Sequence, residues 1–416
     1  MSELRPTTGR SAAPRLRAMD ALRLVAALAV VLFHFTARDH VRWGSDRLPH
    51  DVFGAFSGVT VYGYAGVHLF FVVSGFVILM SVWGRSVPQF LASRVSRLYP
   101  AYWVAVLLTA TLRWWWPTFG TVPAGAVAVN LTMTQDAFHV ERVDGVYWTL
   151  WVELQFYLLM LGFLLWGITA RRVLAVAAIA PPAMVALSFL APRAEAAVGL
   201  LGWAPLFAAG MVLFVIHREG SSLARWAVVV GNALLAAVAS GLRTVGAIDA
   251  VASGGHVVPV VLGAVAVAVV GLVAAVALVP TLRDLDWAIL TALGALTYPL
   301  YLIHEYVGWA IIETTHEALG RWLTLAVAVG GCLGLAWLLH RFVEEPVHRP
   351  MRRWLQTRFE RVGELLRAAV RRPGAVAADA RGTRGTGRAP GRTSGAPDRL
   401  PSPPRAPEPV PDRTRG

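Results

Sequence analysis

Residues 19–35 read MDALRLVAALAVVLFHF, an apolar run in which Asp20, Arg23 and His34 are the only ionisable side chains. A helix gains 1.5 Å per residue and a hydrocarbon layer is about 30 Å thick, so a spanning helix needs roughly 17–25 such residues. Further runs of this kind cover 61–83, 98–116, 147–166, 173–190, 198–216, 226–242, 257–278, 287–312 and 322–339. The hydrophobic share of 56% and mean hydropathy of +0.56 exceed what a soluble chain of 416 residues needs for its core. The expected fold is therefore all-α, a polytopic transmembrane bundle of about ten helices. The Ala/Val-rich runs 173–190 and 257–278 are equally readable as re-entrant or buried helices. Trp and Tyr at several run ends suit the interfacial aromatic belt. The first run follows arginines, as a secretory signal does, but no small-x-small cleavage site follows it, so a retained helix is expected. Cys332 is the only cysteine and lies in an apolar run, which excludes an intramolecular disulfide.

Charge gives the expected orientation. All 38 basic Lys and Arg positions are Arg. Arg5, Arg10, Arg15 and Arg17 precede the first run, and an Arg-dense series extends from Arg341 to Arg415. By the positive-inside rule both termini are cytoplasmic in a multi-pass cell-membrane protein, which requires an even helix count. Three regions follow: a basic N-terminal segment at 1–17, the transmembrane domain at 18–350, and a basic tail at 351–416. Beyond Phe359 the tail has no aromatic residue and is rich in Arg, Pro, Ala and Gly, so it is expected to be mostly disordered. It carries most of the net charge of +13 and suits anionic lipid headgroups. Nucleic acid is not an expected partner, because no stacking aromatics accompany that charge.

Ionisable residues inside apolar runs are costly, and they are where chemistry is to be sought. Arg23 and His34 are eleven residues apart, about three full helical turns, so they share one face roughly 16 Å apart along the axis. Asp20 lies about 40° round from His34. Alone, this pattern also fits a membrane-anchoring arginine and a packed histidine. Four more signatures follow in order: Gly66-Val67-His68-Leu69-Phe70-Phe71 with Ser74-Gly75-Phe76, then Arg94-Val95-Ser96-Arg97; Tyr147-Trp148-Thr149-Leu150-Trp151-Val152-Glu153; Thr297-Tyr298-Pro299-Leu300-Tyr301-Leu302-Ile303-His304-Glu305; and Arg341-Phe342-Val343-Glu344-Glu345-Pro346.

This ordered set, over roughly residues 16–350, resembles acyltransferase family 3, polytopic enzymes that acylate carbohydrates and related acceptors. The resemblance implies acyl-CoA as donor co-substrate, acetyl-CoA by default. It maps the family's Arg and the His eleven positions later to Arg23 and His34, its cytoplasmic Arg pair to Arg94 and Arg97, and its buried Glu to Glu153. His68 is a departure, since family members often carry Asp there. Arg94 and Arg97 lie at i and i+3, where two guanidinium forks can hold the CoA phosphates, although plain positive-inside charge would look the same. A donor held there must thread its pantetheine arm through a tunnel to reach His34. His34 and Glu153 are expected at similar depth as a dyad: neutral His34 takes the acceptor hydroxyl proton and Glu153 stabilises the imidazolium. A transient acyl-histidine is the other route. His304 and Tyr301 share that half of the membrane, and His304 is also readable as a packed core residue. No metal is expected. The implied acceptor is a carbohydrate, glycolipid or glycosylated small molecule. The competing reading is a transporter or flippase of lipid-linked sugars, which would also need polar residues around a cavity.

Overall fold

The computed structural model describes residues 17–370, except 45, 192, 194–197, 255 and 286. Among these residues the secondary structure is helical, without strands. The long helices are α1 (Arg17–Thr36), α2 (Gly66–Val82), α3 (Val87–Trp115), α4 (Trp148–Trp166), α5 (Ala170–Leu190), α6 (Leu200–Glu219), α7 (Leu223–Ala239), α8 (Pro259–Leu278), α9 (Ala288–Leu339) and α10 (Glu345–Val370).

Eight stretches are long and apolar enough, by length and composition, to cross a membrane. The last runs from Ala288 to Leu365 and covers more than one crossing. Within it Gly320 adopts φ 69°, a left-handed conformation that suits glycine, and breaks α9 into two legs. The remaining run, 98–116, lies in α3, a 29-residue helix whose Arg and Tyr content lowers its hydropathy. Counting both legs of α9 together with α3 reconciles eight apolar stretches with about ten crossings. Both Ala/Val-rich runs, α5 and α8, are among the eight. Leu190 at the end of α5 and Val260 in α8 are 84% and 80% exposed, which suits a lipid-facing surface.

α1 packs against α2 and α9, while α6 packs against α2, α5 and α7. The α2–α6 contact is close because of two glycines. A Cβ on Gly75 would overlap the Phe207 carbonyl oxygen, and one on Gly210 would overlap that of Val72. Small residues that let backbones approach are a main source of helix association in lipid, where burial of apolar surface offers no advantage. Local caps start several helices: the Thr169 hydroxyl accepts from the Arg172 amide at α5, and the Ser222 hydroxyl from that of Arg225 at α7. Two helices carry π-turns, Ser240–Thr244 following α7 and His340–Glu344 preceding α10.

The chain separates into two units, Met1–Gly363 and Glu364–Gly416. α10 continues to Val370, so the segment just beyond Phe359 is helical, an extension of the apolar–basic pattern that starts at Glu345. The expected disordered tail otherwise falls on 371–416, which, like the N-terminal 1–16, lies outside the described residues.

Candidate active site

α1 carries Arg23 near its start and His34 in its last turn, as the eleven-residue spacing requires. The His34 ring is buried against the first leg of α9. Its Nδ1 lies 2.8 Å from the Val30 carbonyl oxygen, one turn back, so Nδ1 carries the proton and donates. The Nε2 lone pair is then free to accept a proton, the form a general base needs. His304 repeats this arrangement on α9: Nδ1 is 2.9 Å from the Tyr301 carbonyl oxygen, and Nε2 faces His34 Nδ1 at 3.2 Å. The two rings meet edge to face with centroids 4.9 Å apart. The Trp309 indole N–H donates to the His34 carbonyl at 3.2 Å, which satisfies backbone that the helix end leaves open.

The carboxylate beside His34 is Glu305. Its Oε2 is 3.7 Å from His34 Nε2, and its Oε1 accepts from Arg38 Nη1 at 2.7 Å. Glu305 is only 1% exposed, and its carboxylate also meets the side chain of Asp144. Asp144, in the loop before α4, is buried in the same neighbourhood. Burial, and then the adjacent Glu305 carboxylate, push the Asp144 carboxyl well above the usual carboxylate range. Gly145 permits this approach, since a Cβ there would lie 3.0 Å from Glu305 Oε2.

Glu153 is elsewhere, so the expected His34–Glu153 dyad is not formed. Its Oε1 accepts from the Tyr157 hydroxyl at 2.6 Å, one turn along α4, and its charge acts on Arg23 together with Asp20. Depth along two differently tilted helices is a poor guide to contact, and Glu153 sits closer to the Arg23 end of α1 than to the His34 end. Arg23 and Glu153 line one cavity of about 470 Å³ with Ser74, Thr149, Tyr298 and Tyr301. At its other end the Thr149 and Tyr301 hydroxyls are bonded at 2.7 Å. Tyr301 lies one helical turn from His304, about 4.5 Å of rise. The cavity thus extends from the Arg23–Glu153 pair to the neighbourhood of the two histidines.

Arg94 and Arg97 lie on α3 at the Arg23 end. The Arg94 guanidinium rests over the Phe90 and Tyr157 rings, 5.9 and 5.7 Å from their centroids. Its buried Nε has no hydrogen-bond partner among the described residues. Arg97 is in electrostatic range of Arg23 and of Glu344, which bonds His340 across the π-turn at 2.8 Å. Arg349 and Arg352 of α10 join them around His348, and Arg85 is in range of both Arg94 and Arg352. Five arginines so gathered raise the local potential for anions. The expectation named only two of the five. Arg349 and Arg352 follow the Glu344-Glu345-Pro346 signature closely in sequence, but their approach to Arg97 depends on where α9 and the π-turn deliver α10.

Sequence reasoning also missed Glu305 as the partner of His34, although it stands in the quoted His304-Glu305 pair. The signal was the dipeptide itself, a carboxylate inside an apolar run. His68 is fully buried, with Nε2 2.8 Å from Ser240 Oγ.

A family model described as an acyltransferase domain matches residues 16–341, which include Arg23, His34, Arg94, Arg97, Glu153 and Glu305. No curated protein and no solved structure matches the chain. With a match over most of its length and a bundle of membrane-crossing helices, the chain belongs to the acyltransferase 3 family and is a membrane acyltransferase.

Proposed function

We propose that this membrane acyltransferase is an O-acyltransferase that moves an acyl group, acetyl by default, from acyl-CoA to a hydroxyl of a carbohydrate, glycolipid or glycosylated small molecule. The observation that carries the reading is the cavity between Arg23–Glu153 and Tyr301, with a basic cluster at one end and paired histidines near the other. Arg94 and Arg97, with Arg85, Arg349 and Arg352, suit the phosphates of CoA. The cavity suits a thin pantetheine arm, and its apolar lining, Val67, Phe70 and Leu150, suits an acyl chain. In the cell membrane, with both termini cytoplasmic, the donor would enter from the inside.

His34 Nε2 removes the proton of the acceptor hydroxyl as its oxygen bonds to the thioester carbonyl carbon. The tetrahedral intermediate collapses, the carbon–sulfur bond breaks, and the imidazolium returns the proton to the leaving thiolate. The products are the ester and free CoA thiol, with no net proton change. Glu305 supports the transient imidazolium at 3.7 Å, a charge pair in a poorly solvated site where such pairs count most. His304 and the Val30 carbonyl hold the base in the correct tautomer and orientation. Arg23 and Glu153 act further along, toward the donor.

The test uses the purified full chain in lipid nanodiscs with acetyl-CoA, following release of CoA thiol with and without a panel of glycosides. Acceptor-dependent thiol release with a 42 Da increment on the glycoside, about the mass of an acetyl group, supports the reading. Failure to bind or turn over any acyl-CoA would overturn it. In the source cell, loss of such an increment from envelope glycans or secreted glycosides on deletion would identify the acceptor.

A further inference from the structure

A second cavity, of about 480 Å³, opens at the His34 end of the bundle between α6, the end of α7 with the turn that follows it, and Tyr64 ahead of α2. The active-site chemistry described above does not use it. Its polar wall comes from the π-turn: Ser240, Arg243 and Thr244 all face the same space. Single π-turns inside helices recur at functional sites. Opposite stand Tyr64 and Trp203.

The two cavities share a wall of aromatic rings. Phe71, which lines the first, lies 5.3 Å from Trp203, which lines the second. Trp148 bridges Trp203 at 5.5 Å and Tyr64 at 6.4 Å. Tyr64 packs on Phe33 at 5.5 Å, and Phe33 on the His34 ring at 5.1 Å. His68 is built into the same wall, edge-on to Trp203, and its bond to Ser240 orients that hydroxyl.

We propose that this second cavity is the acceptor site, and that it takes an amphiphilic glycoside: a sugar ring on Trp203 and Tyr64, its hydroxyls on Ser240, Thr244 and Arg243, and its apolar aglycone along Leu206 and Ala236. The proposal rests on the acyltransferase reading and deepens it. A site with aromatic faces, an apolar floor and a few convergent hydroxyl and guanidinium groups recognises a polar ring carried on a greasy stem. A phosphate alone would leave the aromatic and apolar walls unused. Tyr64 lines this cavity and packs on Phe33, which packs on the His34 ring, so the cavity adjoins the base through these two rings. His68 is a positioning residue here, through Ser240.

The test has a binding arm that does not depend on turnover. An alkyl glucoside bearing a diazirine is photolysed with the full chain in nanodiscs, and labelled peptides are mapped by mass spectrometry. Labelling within 202–206 or 236–247, competed by octyl glucoside, is expected. Labelling confined to other helices would overturn the proposal. A diacylglycerol-linked glucoside probe in the same nanodiscs distinguishes the source: labelling by it assigns a glycolipid entering from the membrane, and labelling by the soluble probe alone assigns a glycosylated small molecule.

In the kinetic arm, Trp203→Ala removes the stacking face and Ala247→Trp fills the cavity from an exposed position. Each is expected to raise the KM for octyl glucoside about tenfold, with acetyl-CoA affinity unchanged. Unchanged acceptor KM and unchanged labelling in both variants would overturn the acceptor site while leaving the transferase reading intact. Competed labelling without acetyl-CoA binding would support a glycoside site and defeat the transferase reading alone.

Discussion

His34 Nε2 and Glu305 Oε2 stand 3.7 Å apart across the α1–α9 contact, and the other oxygen of Glu305 is held by Arg38 at 2.7 Å. The distance is too long for a hydrogen bond to neutral imidazole and short enough to stabilise imidazolium. Such a pair contributes more once the base is charged than before, which is what a transition state requires of it.

Replacement of the base is the first test. His34→Ala is expected to lower acyl transfer by about 10²–10⁴, the usual contribution of a general base, with the protein still folded in detergent. Size-exclusion and thermal-melt controls accompany the assay. A folded variant with near-normal transfer would leave His34 as a packed core histidine.

The two carboxylates should separate kinetically. Glu305→Gln keeps the shape but loses the charge facing the imidazolium, and kcat is expected to fall about 10- to 100-fold with donor KM little changed. Glu153→Gln, beside Arg23 in the cavity, is expected to act mainly on donor KM. The reverse pattern would restore the His34–Glu153 pairing that the geometry argues against.

Arg94→Ala and Arg97→Ala each remove a charge-assisted contact worth about 1.5–3 kcal/mol, so the KM for acyl-CoA should rise about 10- to 150-fold. Their effect should shrink at high salt and with donors that lack the CoA phosphates. Normal donor affinity in both variants would reduce the pair to a topological signal.

Orientation can be read by labelling, because native Cys332 is buried and should stay silent. A membrane-impermeant maleimide on intact cells is expected to label Phe138→Cys, in the exposed loop before α4, and to leave Ser86→Cys unlabelled until the cells are permeabilised. Labelling of Ser86→Cys in intact cells would invert the topology and the donor route.

The loop after α1 should make stability depend on acid. Burial, with Arg42 and Arg38 nearby, lowers the His40 imidazole from 6.5 to about 3, and its Nδ1 accepts from the Arg42 amide at 3.2 Å. A depressed folded-state pKa means that its contribution is fully present above pH 6.5 and is lost as pH falls toward 3. The slope is up to about 1.4 kcal/mol per pH unit. Melting temperature in detergent should therefore drop from pH 6.5 downward, and His40→Gln, which can still accept from Arg42, should flatten the drop. An unchanged slope would count against a buried neutral His40.

Hydropathy and run length already identify the solvent and the class of the protein. Apolar runs of spanning length have one stable answer in lipid, a helix, because every backbone polar group must be satisfied within its own segment. The eleven-residue spacing likewise put Arg23 and His34 on one face before any packing was known, since helix periodicity is local. Which polar groups meet is set by packing instead. Glu153 and Glu305 are both carboxylates buried in apolar runs, and nothing local says which one faces His34. That choice depends on the tilt and rotation of α4 and α9 against α1, fixed by contacts distant in sequence such as Gly308 with Phe35 and Gly145 with Glu305. The same holds for Arg349 and Arg352 beside Arg97, and for the two cavities that Phe71 and Trp203 divide. Periodicity fixes a face along one helix, whereas a site is made where faces of several helices converge, and only their packing sets that.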